Sequence, residues 1–377
     1  MTALDAARPS LASLVARIVP TTPSDEWDAF VAATPGGSIE QTTRWAEAKR
    51  RTGMRTALVT VSDDDRLMAG AVVQIRSIAP AVSVGFVPHG PLLGASDGHR
   101  WPAVVAALVD AARALGVRAL VVQPPAGAAA AERELVRHGF FPSPLAVATE
   151  ATIELDLTRS FAELSAGLSS SRRHAKRLAS MPLRIREATT SDDVTTFHRL
   201  YLATAARQRF VPVELACVRA QWEELHPAGL LRLFVAEHDG EAVASQTATF
   251  FGDTVTPRLS GWTGGDRALR APELLDWWLV QRAKDEGFRR FDFGGIAREY
   301  ALGVTGTGAA APQPTSALKA AHPTSYYKHS FGGDVVVLPP PYLHVVNALA
   351  RPLARFASPR LARSVALRRR ANRWKSG

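Results

Sequence analysis

In the stretch YYKHSFGG (residues 326–333) a single lysine stands between two tyrosines and a Phe-Gly-Gly. Lys328 in that setting is either a surface lysine on a strand, its stem packed on Phe331, or a charge held beside a reaction centre. The second reading has a definite chemistry, because a fixed cation in a partly dry site stabilises negative charge growing on oxygen in a transition state. A second group of cations, Arg172, Arg173, Lys176 and Arg177, is spaced i, i+1, i+4, i+5, which on a helix gathers all four on one side. Such a group grips phosphates or forms a solvated face. A third stretch, TRWAEAKRR (residues 43–51), brings Arg44, Trp45 and Lys49 onto one short helix. As an amphipathic helix it buries Trp45 and Ala48 and exposes its charges. The chain has no GxSxG elbow, no HExxH and no GxxxxGK[ST] loop. One cysteine, Cys217, and scattered histidines do not form a metal cluster, so no metal is expected.

The elements that would position these residues occur twice. Residues 53–78 and 82–94, the helix at 101–116 and the short strand at 117–123 form one copy. Residues 229–252 and 254–262, the helix at 272–287 and the strand at 288–294 form the other. Each copy reads strand, tight acidic or glycine turn (SDDD, HDGE), strand, strand, helix, strand. Gly116 and Gly287 stand where a helix C-terminal glycine belongs. Two helices precede each copy, with a further strand, LRIREA, before the second pair. This is the element order of a GNAT-type acyltransferase domain in duplicate, an α/β fold with mixed central sheets. The expected division is a GNAT-like domain over 1–155, a basic connecting helix over 156–182, a second GNAT-like domain over 183–342, and a basic amphipathic tail over 343–377. Residues 301–316, rich in Gly, Ala and Pro, read as a loop.

At 377 residues the chain is long enough for two domains with their own cores. No run approaches the length of a membrane span, the N-terminus is a poor secretory signal, and a lone cysteine suits a reducing compartment. A cytoplasmic location is expected. The net charge of +10 is local: nine of the 45 Lys and Arg residues, and none of the 35 Asp and Glu residues, lie in 351–377. The remainder is close to neutral, which argues against a nucleic-acid surface spread over the fold. The tail mixes its cations with Leu353, Phe356, Leu361, Val365 and Leu367, as a membrane-surface helix does; a tRNA-touching or disordered tail is the rival reading.

Four motifs together resemble the FemABX family of aminoacyl-tRNA-dependent transferases: SIEQTTRWAEAKRRTG (38–53), VPHGPLLG (87–94), FRRFDFGGI (288–296) and YYKHSFGG (326–333). The last two, in this order with a glycine-rich gap between them, are the most specific. The resemblance spans about residues 38–342. It implies two GNAT-like domains and transfer of an amino acid from aminoacyl-tRNA to a side-chain amine of a nucleotide- or lipid-linked muropeptide, with no cofactor beyond the tRNA co-substrate. By position it makes Lys328 the lysine near the aminoacyl ester, with Tyr327 locking it or stacking on the adenosine end of tRNA. It makes Lys49 a contact to the precursor's phosphates or sugar, with Arg44 and Trp45 one turn before it. Arg207 and Arg209 are equal candidates for a second phosphate contact. Asp292 matches the family's strand aspartate, or caps the amides of Gly294 and Gly295.

Two positions depart from the pattern. Some members carry an acidic residue where this chain has Gln123-Pro124, and some a tyrosine where it reads RLSGW (residues 258–262). A general base is therefore missing, and substrate groups, water or another side chain such as Glu299 must take the proton. Neither copy has the R/Q-x-x-G-x-G/A pattern that holds the pyrophosphate of CoA at a helix N-terminus. An N-acyltransferase using acetyl-CoA is the alternative within enzymes; a non-catalytic binder of lipid-linked cell-wall intermediates is the alternative outside them.

Overall fold

The computed structural model describes residues 14–79, 82–95, 98–169, 183–265, 269–306, 314–352 and 354–355. Two mixed sheets carry the fold. Strands β1 (Leu14–Val19), β2 (Arg55–Asp63), β3 (Arg66–Ala79), β4 (Val82–Val87), β5 (Leu92–Leu93), β6 (Ala119–Val122) and β7 (Phe141–Pro142) belong to the first. Strands β8 (Ala151–Asp156), β9 (Arg184–Glu187), β10 (Leu231–His238), β11 (Glu241–Phe251), β12 (Thr254–Trp262), β13 (Arg290–Asp292) and β14 (Asp334–Val337) belong to the second. The last strand, β15 (Tyr342–Val345), returns to the first sheet, whose order is β1-β2-β3-β4-β6-β15-β7; the second runs β14-β8-β13-β12-β11-β10-β9.

The repeat read from the sequence is physical. In each copy three antiparallel strands lead through a helix to a fourth strand parallel to the third: β2-β3-β4, α3 (Trp101–Ala114), β6, and then β10-β11-β12, α8 (Ala271–Asp285), β13. Both crossover helices end alike. The amides of Gly116 and Val117 bond the carbonyls of Arg113 and Ala112, and those of Gly287 and Phe288 bond Lys284 and Ala283. Both glycines adopt positive φ, 70° and 87°, which an L-residue resists. The duplication extends further than the sequence indicated, because β1 pairs with β2 as β9 pairs with β10. That strand escapes a pattern search because most of its residues are exposed.

The copies differ where they matter. β4 and β6 stay paired over four registers, Val84 to Val87 against Ala119 to Val122. β12 and β13 pair at only two, Thr254–Arg290 and Val255–Phe291, after which β12 diverges and leaves a gap beside Thr256, Pro257 and Arg258. The open seam thus belongs to the second sheet alone.

The expected boundaries at 155 and 342 cut through strands. β8 crosses over to lie between β13 and β14, and β15 crosses back to lie between β6 and β7. The Pro-Pro-Pro-Tyr run therefore does not end the fold; Tyr342 opens a strand of the first sheet. Gln123 fastens this crossing: fully buried, its amide donates to the carbonyls of Thr149 (2.6 Å) and Pro339 (3.2 Å) and accepts from the amide of Ala148 (3.0 Å). A carboxylate there could supply neither donor. The supposed loop at 301–316 begins inside a helix, α9 (Arg298–Thr305), anchored by Tyr300, Ala301 and Val304. The first four residues of YYKHSFGG are helical: Lys328 sits in the last turn of α11 (Pro323–His329), which corrects the strand reading.

The halves meet through α2 (Thr43–Arg50) and α7 (Leu215–Leu225). Trp45 and Ile39 pack on Leu225 and Leu231, rimmed by an Arg51–Glu223 ion pair at 2.7 Å.

Candidate active site

A cleft of about 820 Å³ runs from this seam to the gap in the second sheet; Trp45, Lys49, Arg258, Glu154 and Lys328 are among its lining residues. That volume lies in the range of sites that engulf a nucleotide-sized ligand. It brings residues from both halves of the chain into one space.

One end is cationic. Thr42 caps α2 by accepting from the amide of Trp45, and the helix then turns Lys49 inward instead of out to solvent. Lys49 is only 5% exposed, which overturns the amphipathic reading in which the helix shows all its charges. The Trp45 ring, 4% exposed, explains the tolerance: Lys49 Nζ lies 5.4 Å and the Arg258 guanidinium 5.0 Å from its centroid, so each cation meets a π system. Burial, helped by Arg258, pushes the Lys49 ammonium down to about 8. Glu40 lies between the charges. Its carboxylate accepts from Arg258 at 2.8 Å and faces His89 at 3.4 Å. Burial alone would raise its pKa, but Arg258, His89 and Lys49 hold it at about 2. Gln41 steadies the wall by bonding the Pro88 carbonyl (2.6 Å) and the Val72 amide (2.8 Å), which ties the α2 entry to the VPHGPLLG turn.

The other end surrounds Lys328. Its ammonium donates to the carbonyl of Gly295 at 2.9 Å. Burial lowers its pKa, while the carboxylates of Asp292 and Asp276 favour the charged form. Asp292 itself is engaged, accepting from the Gly294 amide at 2.7 Å and from the Thr152 hydroxyl, so it takes the capping role. Gly294 has φ +71°, and a Cβ built on it would lie 3.4 Å from the Pro257 carbonyl and 3.8 Å from Lys328 Nζ. Those are ordinary contact distances, so it is the positive φ and not a lack of space that calls for a glycine here. Tyr327 turns away from the cleft: its hydroxyl donates to buried Asp276 at 2.7 Å, which also accepts from Gln246 at 2.7 Å, and its ring packs on Phe331. It braces the turn carrying Lys328.

The remaining expectations divide clearly. Arg44 points outward to Asp25 (3.0 Å) and Glu224 (4.0 Å). Arg207 stacks on Trp262 at 4.7 Å, and Arg209 is the exposed, left-handed cap of α6 (Ser191–Gln208); neither lines the cleft. Arg258, in the RLSGW stretch, is the cation that lines the cleft beside Lys49. Glu299 is exposed on α9 and outside the cleft, so it does not fill the role of base. Arg172, Arg173, Lys176 and Arg177 lie outside the described residues, as does the tail beyond residue 355. Among the described residues no cluster of His, Cys, Asp or Glu is arranged to hold a metal, and no helix is long and apolar enough to cross a membrane.

Comparison with known proteins adds to this geometry. The FemAB family model matches residues 22–138, and an acetyltransferase (GNAT) domain model matches residues 166–301. The lipid II:glycine glycyltransferase of Staphylococcus aureus (strain MRSA252) is 20% identical over 302 residues, covering 76% of this chain and 71% of that protein. The crystal structure of FemX superposes with a TM-score of 0.75 at 16% identity, over 91% of this chain and all of the other. A tandem GNAT protein from the clavulanic acid biosynthesis pathway superposes at 0.53 and 14% identity, over 89% and 99% of the two chains. These likenesses establish the fold as two GNAT-like units in tandem.

Proposed function

Because the chain belongs to the FemABX family, we propose that it moves an amino acid from aminoacyl-tRNA to a side-chain amine of a lipid-linked peptidoglycan precursor. The observation that carries this reading is the single cleft joining a buried cationic end, Lys49 and Arg258, to the open seam at Lys328. The cationic end suits the phosphates of the precursor, held by charge and by a dry, π-lined wall. The seam suits the ester. A strand edge that has lost its neighbour offers backbone groups to an extended acyl chain, and Lys328 stands beside it. When the amine attacks the ester carbonyl, charge grows first on the carbonyl oxygen and then on the departing ribose oxygen. The Lys328 ammonium stabilises both, an effect worth roughly 3–4 kcal/mol for one such donor. The glycyltransferase relative acts on lipid II, which favours a lipid-linked over a nucleotide-linked acceptor.

The test is transfer of label from a mixed aminoacyl-tRNA pool to lipid-linked and nucleotide-linked muropeptides. Label on the lipid-linked acceptor is the expected result. No label on either acceptor from any aminoacyl-tRNA would sink the reading, and heat released on titrating acetyl-CoA would favour a CoA-dependent acyltransferase in its place.

A further inference from the structure

An amine acceptor arrives as an ammonium at neutral pH and must lose a proton before it can attack. Gln123 cannot accept it, because both functions of its amide are engaged. Among the described residues, one carboxylate lining the cleft is free for the task. On β8, Ile153 and Leu155 point into the core of the second half, so Thr152 and Glu154 share the opposite face and line the cleft. Thr152 marks the place of the lysine: its hydroxyl, which donates to Asp292, lies 3.1 Å from the Gly294 carbonyl, and the next carbonyl, Gly295, receives Lys328. Glu154 lies two residues along the same face, about 7 Å of strand away. Glu154 from β8 and Lys328 from α11 thus line one cleft.

The charged neighbours of Glu154 come from every side. Asp292 on β13 and Asp334 on β14 are its direct cross-strand partners. Arg290 and Asp253 pair with each other at 2.8 Å on the rim, and Lys328 of α11 lines the same cleft. Asp292 is held by Thr152 and Gly294, whereas no described group hydrogen-bonds the Glu154 carboxylate. Burial and then the like charge of Asp292 raise its pKa above the ordinary carboxylate value, against the pull of Arg290. Both effects strengthen a base.

We propose that Glu154 is the catalytic base that deprotonates the acceptor ammonium, working opposite Lys328; this rests on the aminoacyl-transfer reading above. One proton passes from the ammonium to the Glu154 carboxylate. The freed lone pair forms the C–N bond, and the carbonyl π pair becomes the oxyanion beside Lys328. As the carbonyl re-forms, the C–O bonding pair leaves with the ribose oxygen, which takes the second proton from nitrogen directly or through the Lys328 ammonium. The products are an amide and a free hydroxyl, and the proton on Glu154 returns to solvent.

The experiment compares wild type, Glu154→Gln and Glu154→Ala in label transfer across pH, with unfolding midpoints confirming that each variant folds. A wild type that transfers no label fails the aminoacyl-transfer reading, not this one. Given an active wild type, E154Q is expected to lose about 10²-fold in transfer at neutral pH, the lower part of the range for a general base. Its rate should then climb tenfold per pH unit through the neutral range as free amine accumulates, where the wild-type profile is flat above the Glu154 titration. Added formate should restore part of the E154A rate and none of the E154Q rate. An E154Q enzyme with the wild-type rate and pH profile, or one whose loss is constant across pH and insensitive to the formate test in E154A, would overturn the assignment.

Discussion

Glu40→Gln is the perturbation that tests the cationic end most directly. The glutamate comes from the first half of the chain, and its partner Arg258 from the second. At 2.8 Å and an effective dielectric of about 20, a unit pair is worth about 6 kcal/mol before desolvation. Burial opposes this, and the outcome is a carboxyl whose pKa falls from 4.5 to about 2. At 1.36 kcal/mol per unit, that fall corresponds to about 3 kcal/mol of stability. Because the folded-state pKa is depressed, the contribution is fully present above the unfolded value of 4.5 and is lost as pH falls towards 2. Glutamine keeps the shape and removes the charge, leaving Arg258 and Lys49 in the cleft without their counterion. E40Q should therefore be about 3 kcal/mol less stable at pH 7 in guanidinium unfolding, and the gap to wild type should close between about pH 4.5 and 2. An equal midpoint at pH 7, or a gap that persists to pH 2, would refute the claim that Glu40 is the buried counterion of this end.

Three further outcomes are expected. With the Lys49 ammonium at about 8, affinity for a pyrophosphate-bearing precursor should fall as pH rises through that value in calorimetry, and Lys49→Arg should flatten the profile. Lys328→Ala should lower transfer about 10²–10³-fold with little change in precursor binding, separating chemistry from affinity. Gly294→Ala forces an L-residue to φ +71°, although its methyl would meet the Pro257 carbonyl and Lys328 Nζ only at contact distance, so it should cost about 1–2 kcal/mol in unfolding and lower transfer by shifting the turn beside Lys328.

Much of this molecule could be read from its residues. The duplicated element order, the capping glycines at 116 and 287 and the pairing of FDFGG with a later lysine all rest on local signals, and local signals survive into the fold. What stayed hidden depended on partners distant in sequence. The apolar alternation of β8 and β15 says which face is buried but not which sheet receives the strand, so the exchange could not be foreseen. Lys49 looked exposed because burial of a cation depends on Trp45, Arg258 and Glu40 converging on it from three elements. Arg258 and Glu154 went unnoticed for the same reason, since each becomes meaningful only beside residues about a hundred or more positions away. Arg207 and Arg209 sat in the expected loop, yet the helix end directs them outside the cleft.

The strand exchange also bears on inheritance. A duplicated domain ordinarily leaves two copies that recombination can separate, lose or shuffle. Here any single cut removes β15 from the first sheet and with it the link from β6 to β7, while a cut after β8 also takes from the second sheet the strand that faces Lys328. The two copies can diverge in sequence, as they have at the open and closed seams, but they must be passed on together.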